Sequence, residues 1–135
     1  RFMITLEQGI NLVWFGIKDM IGGEIYVHKI PSMKVTDVAR VIAPGATQKI
    51  VGIRPGEKIH EQMISKEEAA CTYDYDSYYK VLPVLNKWNN DLNRVSAGRK
   101  VPKDFSYSSD RNSEWMSPEM LLAWVSTNRE SILEI

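Results

Sequence analysis

The chain is short of several features, and each shortage excludes a class of site or location. It has one cysteine, Cys71, so an internal disulfide is excluded, which fits a reducing compartment and predicts a cytoplasmic location. Seventeen basic and seventeen acidic residues cancel, so no net charge attracts nucleic acid. Apolar runs stay far below the roughly 18 residues of a transmembrane helix. We therefore predict neither a nucleic-acid partner nor a membrane partner.

The signatures of common catalytic centres are also missing. The sequence has no Gly-x-Ser-x-Gly nucleophile elbow. The tyrosine cluster also forms no Tyr-x-x-x-Lys pair, because the residue four positions before Lys80 is Asp76 rather than tyrosine. Glu57, His60 and Glu61 would share one face of a helix, which is compatible with a metal site. With only two histidines in the chain, a solvated face is the favoured interpretation. We predict no catalytic residue, no cofactor-binding residue and no metal site in this chain.

Helix and strand patterns alternate in the first half. Thr5 and Gln8 have capping-box spacing ahead of an amphipathic helix. The further predicted elements are a strand at 25–27, a helix capped by Thr36, and a buried strand formed by Ile50, Val51 and Ile53. This alternation predicts an α/β fold. Because the chain begins at Arg1 rather than at methionine, we expect it to be part of a longer protein.

The second half is less regular. Residues 78–82 have the composition of a strand. Residues 86–110 are largely polar and contain several turn formers, which predicts an excursion over the surface. A helix over 117–127 is predicted to start at Ser117-Pro118, with a cap residue followed by proline in the first turn.

The turn Arg54-Pro55-Gly56-Glu57 is the most informative motif. Pro55 fixes φ, and Gly56 permits a turn that other residues resist. Arg54 offers a planar fork for phosphate oxygens, and Glu57 can accept two hydrogen bonds from a sugar diol. A nucleoside diphosphate carries both groups, so the motif is compatible with a nucleotide-sugar site. On these residues alone, a surface turn with an Arg–Glu pair is the favoured interpretation.

Three ordered stretches, 1–9, 23–34 and 51–61, carry a resemblance to a known family. The tail adds Thr72-Tyr73, Tyr78-Tyr79, residues 105–109, Asn112, Glu114 and Trp115. Together they resemble the C-terminal, substrate-side part of the inverting UDP-N-acetylglucosamine 4,6-dehydratases. These are extended short-chain dehydrogenase/reductases that open pseudaminic acid biosynthesis. The similarity covers nearly the whole chain and is weakest over 86–100.

The resemblance implies a reaction and a cofactor. Members use NADP to oxidise the sugar at C4, eliminate water across C5 and C6, and return the hydride at C6 with inversion at C5. The product is a UDP-4-keto-6-deoxy-L-sugar. The cofactor turn and the acid and base for elimination would lie in an N-terminal part that is absent from this chain. The full-length enzyme is expected to be a homo-oligomer that binds a UDP-sugar.

The resemblance also implies substrate contacts and a fold. Arg54 would hold the diphosphate, Glu57 the ribose hydroxyls, and Arg1 would reach the nucleotide. Ser32 and Lys34 lie on a loop that edges the site, although a purely structural loop fits equally well. Residues 1–135 are then one substrate-binding domain, the C-terminal lobe of an extended short-chain dehydrogenase/reductase without its Rossmann part. A non-catalytic nucleotide-sugar binding module and a structural interaction domain stay open as alternatives.

Overall fold

The computed structural model describes residues 1–83 and 92–127. Three α-helices run over this part of the chain: α1 (Leu6–Asp19), α2 (Val35–Ile42) and α3 (Pro118–Thr127). The strands are β1 (Ile25–His28), β2 (Gln62–Ile64), β3 (Thr72–Asp74), β4 (Tyr78–Val81), β5 (Arg99–Lys100) and β6 (Tyr107–Ser108). The predicted mixture of helices and strands is confirmed. Within the described ranges, no helix combines the length and the apolar character needed to cross a membrane.

The chain divides into two compact units, each built from separate stretches. The helical unit comprises Arg1–Met3, Pro31–Glu61 and Ser109–Ile135. The sheet unit comprises Ile4–Ile30 and Gln62–Ser108. That residues 1–135 act as a single substrate-binding domain stays a prediction.

Within its described residues, the sheet unit contains two antiparallel sheets. Strands β1, β4, β3 and β5 lie side by side in that order, with Lys80 of β4 opposite Tyr26 on one side and Tyr73 on the other. Strands β2 and β6 form a second sheet whose register shifts between Gln62 and Ile64. The side chains buried among these strands include Val27, Ile30, Ile64, Val81, Leu82, Val95, Val101 and Tyr107.

The polar stretch at 86–110 contributes more to the sheet unit than its composition indicates. Residues 84–91 lie outside the described part of the chain. Residues 92–110, however, supply strands β5 and β6 and the buried side chains of Val95, Val101 and Tyr107. Single apolar residues spaced along a polar stretch are enough to anchor it, and an averaged composition hides them.

Helix α1 begins as the sequence predicts. Thr5 Oγ1 accepts a hydrogen bond from the Gln8 amide at 3.1 Å, and Gln8 Oε1 accepts one from the Thr5 amide at 3.0 Å. Its predicted apolar face, however, stays exposed and lines a groove of about 670 Å³ whose walls include Ile10, Val13, Trp14 and Ile17. The helix instead packs through Phe15, which contacts the Tyr26 ring edge-on at 5.7 Å.

Two local predictions are wrong. Helix α2 begins at Val35 with Lys34 at the N-cap position, so Thr36 lies within the first turn and does not cap it. Ile50, Val51 and Ile53 form no strand and are exposed, Ile50 to 95%. An apolar run becomes a strand only when a neighbour takes up its N–H and C=O groups. The described residues provide no such neighbour.

The helical unit is organised around Ser32. Phe2 pairs with it in antiparallel fashion, and Trp115 pairs with it in parallel fashion. The Ser32 amide donates to Glu114 O and its carbonyl accepts from the Met116 amide, each at 2.8 Å. Helix α2 packs on α3, whose Leu121 is fully buried.

Replacing Gly98 by alanine is expected to lower the free energy of unfolding by about 1–3 kcal/mol, because it overpacks a filled site. The new Cβ would lie 2.6 Å from the Tyr75 hydroxyl oxygen. That ring is stacked on Tyr78 at 4.6 Å and cannot swing away without losing the stack. Urea titration followed by circular dichroism measures the change. Gly45→Ala is the matched control, since its Cβ would meet no atom within 4 Å. Equal effects of the two substitutions would contradict the argument.

Candidate functional site

A pocket of about 290 Å³ in the helical unit brings two of the predicted site residues together. Arg1 and Lys34 both line it. They come from separate stretches of the chain that the pairing around Ser32 places side by side. Its other walls include Met33, Val35, Ile59, His60, Asp110 and Trp115.

The Arg1 side chain is held in place by an acid. Its Nη1 lies 2.8 Å from Glu61 Oε1, and both side chains are partly exposed. Glu61 is fixed in turn, because its amide donates to Ser109 Oγ at 2.9 Å and its carbonyl accepts from the Ser109 amide at 2.8 Å. A partly exposed ion pair stabilises a fold by only about 0–1 kcal/mol. Its main consequence here is therefore the orientation of the guanidinium.

The rim of the pocket is suited to an anion. Lys34 is exposed, and its amine has no partner among the residues that the structure describes. Val35 and Thr36 also line the pocket, so the first turn of α2 lies against it, and Lys34 at the N-cap gives that turn no side-chain hydrogen bond. The N-terminal end of a helix carries a partial positive charge that favours an anion.

His60 and Asp110 contribute a weaker pair at the same pocket. His60 Nε2 lies 3.8 Å from Asp110 Oδ1, and both side chains are exposed. The stretch that carries His60 is irregular rather than helical, so Glu57, His60 and Glu61 do not share a helix face. Over residues 1–83 and 92–127, no cluster of three or more acidic, histidine or cysteine side chains is arranged to hold a metal ion.

Ser32 is not among the residues that line the pocket. The residue is fully buried, and its Oγ accepts a hydrogen bond from Asn112 Nδ2 at 3.1 Å. Its role in the described structure is to join the extended segments of the helical unit.

Arg54 and Glu57 form the expected tight turn but are not among the residues that line this pocket. The Glu57 amide donates to Arg54 O at 3.0 Å, and Gly56 has φ of +84°, as a type II turn requires. Glu57 Oε2 also accepts from the Arg54 amide at 2.9 Å, which locks the turn with its own carboxylate. The Arg54 guanidinium makes no hydrogen bond within the described part of the chain, and both residues are exposed.

The sheet unit has a larger pocket of about 460 Å³, but its charges neutralise one another. Lys29 Nζ lies 2.6 Å from Asp74 Oδ1, and Arg99 Nη2 lies 3.2 Å from Asp74 Oδ2. Burial alone would raise the pKa of Asp74, yet the hydrogen bonds from Lys29 and Arg99 hold it below its ordinary value. The aspartate is thus a structural partner. The pocket of the helical unit is the better candidate site, because Lys34 on its rim is exposed and has no partner among the described residues.

The sequence motifs do not indicate that Trp115, Asp110 and His60 meet at one pocket. Trp115 belongs to a stretch that resembles the family tail, but no spacing rule connects it with Arg1 or Lys34. The only signal was a large aromatic residue in a polar stretch after Asn112.

Comparison with known proteins places the chain in a family. Residues 1–83 match the family model described as "Polysaccharide biosynthesis protein". The chain belongs to this family. It is also 45% identical over 127 residues to the UDP-N-acetylglucosamine 4,6-dehydratase (inverting) of Campylobacter jejuni, covering 90% of this chain and 38% of that protein. The resemblance found in the sequence is confirmed, and this chain spans under two fifths of that relative's length.

Two further matches are more distant. A UDP-glucose 4-epimerase of Rickettsia canadensis is 32% identical over 85 residues, covering 60% of this chain and 25% of that protein. The X-ray structure of Pen from Bacillus thuringiensis superposes with a TM-score of 0.77 at 23% identity, covering 96% of this chain and 39% of that one. At that identity the likeness shows the fold alone.

Proposed function

We propose that this chain is the UDP-sugar binding portion of an inverting UDP-N-acetylglucosamine 4,6-dehydratase. Its fold would be the C-terminal lobe of an extended short-chain dehydrogenase/reductase. The observation that carries the proposal is the meeting of Arg1 and Lys34 at one pocket. It occurs in a chain that is 45% identical to such a dehydratase. The product would be a UDP-4-keto-6-deoxy-L-sugar for pseudaminic acid and surface glycan synthesis.

In this proposal the chain binds and orients the nucleotide. Arg1 and Lys34 neutralise the diphosphate at the rim of the pocket, with Glu61 holding the Arg1 guanidinium in position. The turn at 54–57, which does not line this pocket, would meet the part of the nucleotide outside it, with Arg54 on the diphosphate and Glu57 on the ribose. Binding energy from this remote part of the substrate positions the sugar carbons for chemistry that other residues perform.

The residues that the structure describes do not fit NADP. Helices α1, α2 and α3 begin at capping positions occupied by Thr5, Lys34 and Ser117, and none follows a glycine-rich turn after a strand. NADP would therefore be held outside this chain, where it would supply hydride transfer. Assembly of the longer protein as a cytoplasmic homo-oligomer stays a prediction.

Calorimetry with UDP tests the proposal at the turn. Arg54→Ala in the 135-residue chain is expected to weaken UDP binding roughly ten- to hundredfold, the value of a charge-assisted bidentate contact. Arg54→Lys should recover only part of the loss, because an ammonium lacks the planar fork. Lys58→Ala removes the same charge from the same exposed loop and serves as the control. Equal losses of UDP affinity for Arg54→Ala and Lys58→Ala would contradict a direct contact. They would favour the interpretation of residues 54–57 as a surface turn without a ligand.

The Glu57 arm of the experiment separates two roles of one carboxylate. If Glu57 binds the ribose diol, Glu57→Gln should weaken UDP more than 2′-deoxy-UDP, which has already lost one hydroxyl. The alternative role of Glu57 is to stabilise the turn, since its carboxylate accepts a hydrogen bond from the Arg54 amide. Under that alternative, Glu57→Gln costs the same affinity for both ligands.

A structural interaction domain is the second candidate, and one observation favours it. The apolar face of α1 is exposed along a groove of about 670 Å³, and such a face is typical of a docking surface. The calorimetry separates the two candidates, because a purely structural module would show no affinity for UDP.

A further inference from the structure

Trp115 is held in one orientation beside the candidate pocket. The hydrogen bonds between Ser32 and the residues on either side of Trp115, each 2.8 Å long, fix its backbone. The indole Nε1–H donates to Asn112 O at 2.9 Å, which fixes the ring. The residue is nevertheless 42% exposed. An aromatic ring that is both fixed and exposed can bind a ligand with little further loss of side-chain freedom.

The size of the pocket limits what part of a nucleotide sugar it can take. Its volume of about 290 Å³ is at the lower end for small-molecule sites, which run from about 300 to 1,000 Å³. It therefore accommodates one end of the ligand and leaves the remainder outside.

The lining indicates which end enters. The aliphatic side chains of Met33, Val35 and Ile59 stand with the Trp115 indole around the pocket, and these surfaces suit a flat ring. A diphosphate would lose its hydration against them without gaining hydrogen bonds. The cations Arg1 and Lys34 are better placed to meet the diphosphate, which is joined to that ring through the ribose.

We propose that Trp115 is the platform on which the pyrimidine ring of the nucleotide stacks, with the main-chain carbonyl of Asn112 holding the indole in place. The inference rests on the UDP-binding function proposed above and names the end of the ligand that the pocket receives. The diphosphate then leaves the pocket past Arg1 and Lys34.

The test compares UDP with pyrophosphate in calorimetry on the 135-residue chain. Trp115→Ala is expected to weaken UDP about 5- to 100-fold, the range for loss of base–aromatic stacking, and to leave pyrophosphate affinity unchanged. Trp115→Phe should keep most of the UDP affinity, because phenylalanine also offers a ring face. Trp14→Phe is the matched control, since Trp14 lies on the exposed face of α1 in the sheet unit.

Tryptophan fluorescence gives a second measurement that a structural role would not change. Adding UDP should change the emission of the unaltered chain and of Trp14→Phe, and this response should be lost in Trp115→Phe. If UDP binds but neither Trp115 variant differs from the unaltered chain, stacking is overturned while the UDP function stands. If Trp115→Ala weakened pyrophosphate binding as much as UDP binding, the stacking inference would also be overturned, because Trp115 would then only support the fold. If the unaltered chain shows no affinity for UDP, the proposed function fails and the stacking inference fails with it.

Discussion

Replacing Glu24 by alanine is expected to lower the free energy of unfolding by about 3–5 kcal/mol, as when one partner of a buried ion pair is removed. Glu24 Oε1 lies 2.8 Å from Arg94 Nη1, and the two side chains are only 1% and 6% exposed. Glu24 Oε2 also accepts from the Gly22 amide at 2.7 Å. The alanine variant leaves the Arg94 charge buried without its carboxylate. Urea titration followed by circular dichroism measures the loss.

A pair with one exposed partner in the same chain provides the control. Asp37 Oδ1 lies 2.7 Å from Arg40 Nη1, and the Asp37 side chain is 15% exposed but the Arg40 side chain is 67% exposed. Asp37→Ala is therefore expected to cost about 0–1 kcal/mol. A Glu24→Ala variant no less stable than Asp37→Ala would show that burial adds nothing to the Glu24–Arg94 pair.

Acid should reduce the advantage of Glu24 over glutamine. Burial by itself raises the pKa of Glu24, but hydrogen bonds from backbone amides and the charge of Arg94 hold it below its ordinary value of 4.5. Because the folded-state pKa is lowered, the stabilisation is complete above about pH 4.5 and is lost as the pH falls through the folded value. The difference in the free energy of unfolding between the unaltered chain and Glu24→Gln should therefore shrink as the pH falls below about 4.5.

Local signals in the sequence predict the local structure well. Thr5 with Gln8 predicts the start of α1, because a capping box involves residues only three positions apart. The Ser117 hydroxyl likewise accepts from the Met120 amide at 3.2 Å at the start of α3. The tight turn at 54–57 forms for the same reason, since proline and glycine fix its dihedral angles.

Contacts between distant stretches are what the sequence does not predict. Glu24 and Arg94 pair across 70 positions. The pocket collects Arg1, Lys34 and Trp115 through pairings with the segment around Ser32, and neither arrangement has a spacing signature. The buried strand expected at 50–53 does not form for a related reason. An apolar run becomes a strand only if a neighbouring strand pairs with it, and the sequence of the run does not specify that neighbour.

Replacing Arg1 by alanine is expected to weaken UDP binding roughly ten- to hundredfold in calorimetry, as for loss of a charge-assisted contact. The loss should be large because Glu61 fixes the guanidinium at 2.8 Å, so little side-chain freedom remains to be lost on binding. Arg1→Lys keeps the charge but loses the planar fork, and should recover only part of the affinity.

Arg40→Ala is the control that separates contact from charge. It removes one positive charge from the same unit, at an exposed position on α2 that is not among the residues lining the pocket. Its effect should therefore be small and should fade as salt screens the remaining long-range attraction. If both variants lose the same affinity at physiological salt, Arg1 acts only through net charge. A loss specific to Arg1→Ala that persists in salt identifies a direct contact with the diphosphate.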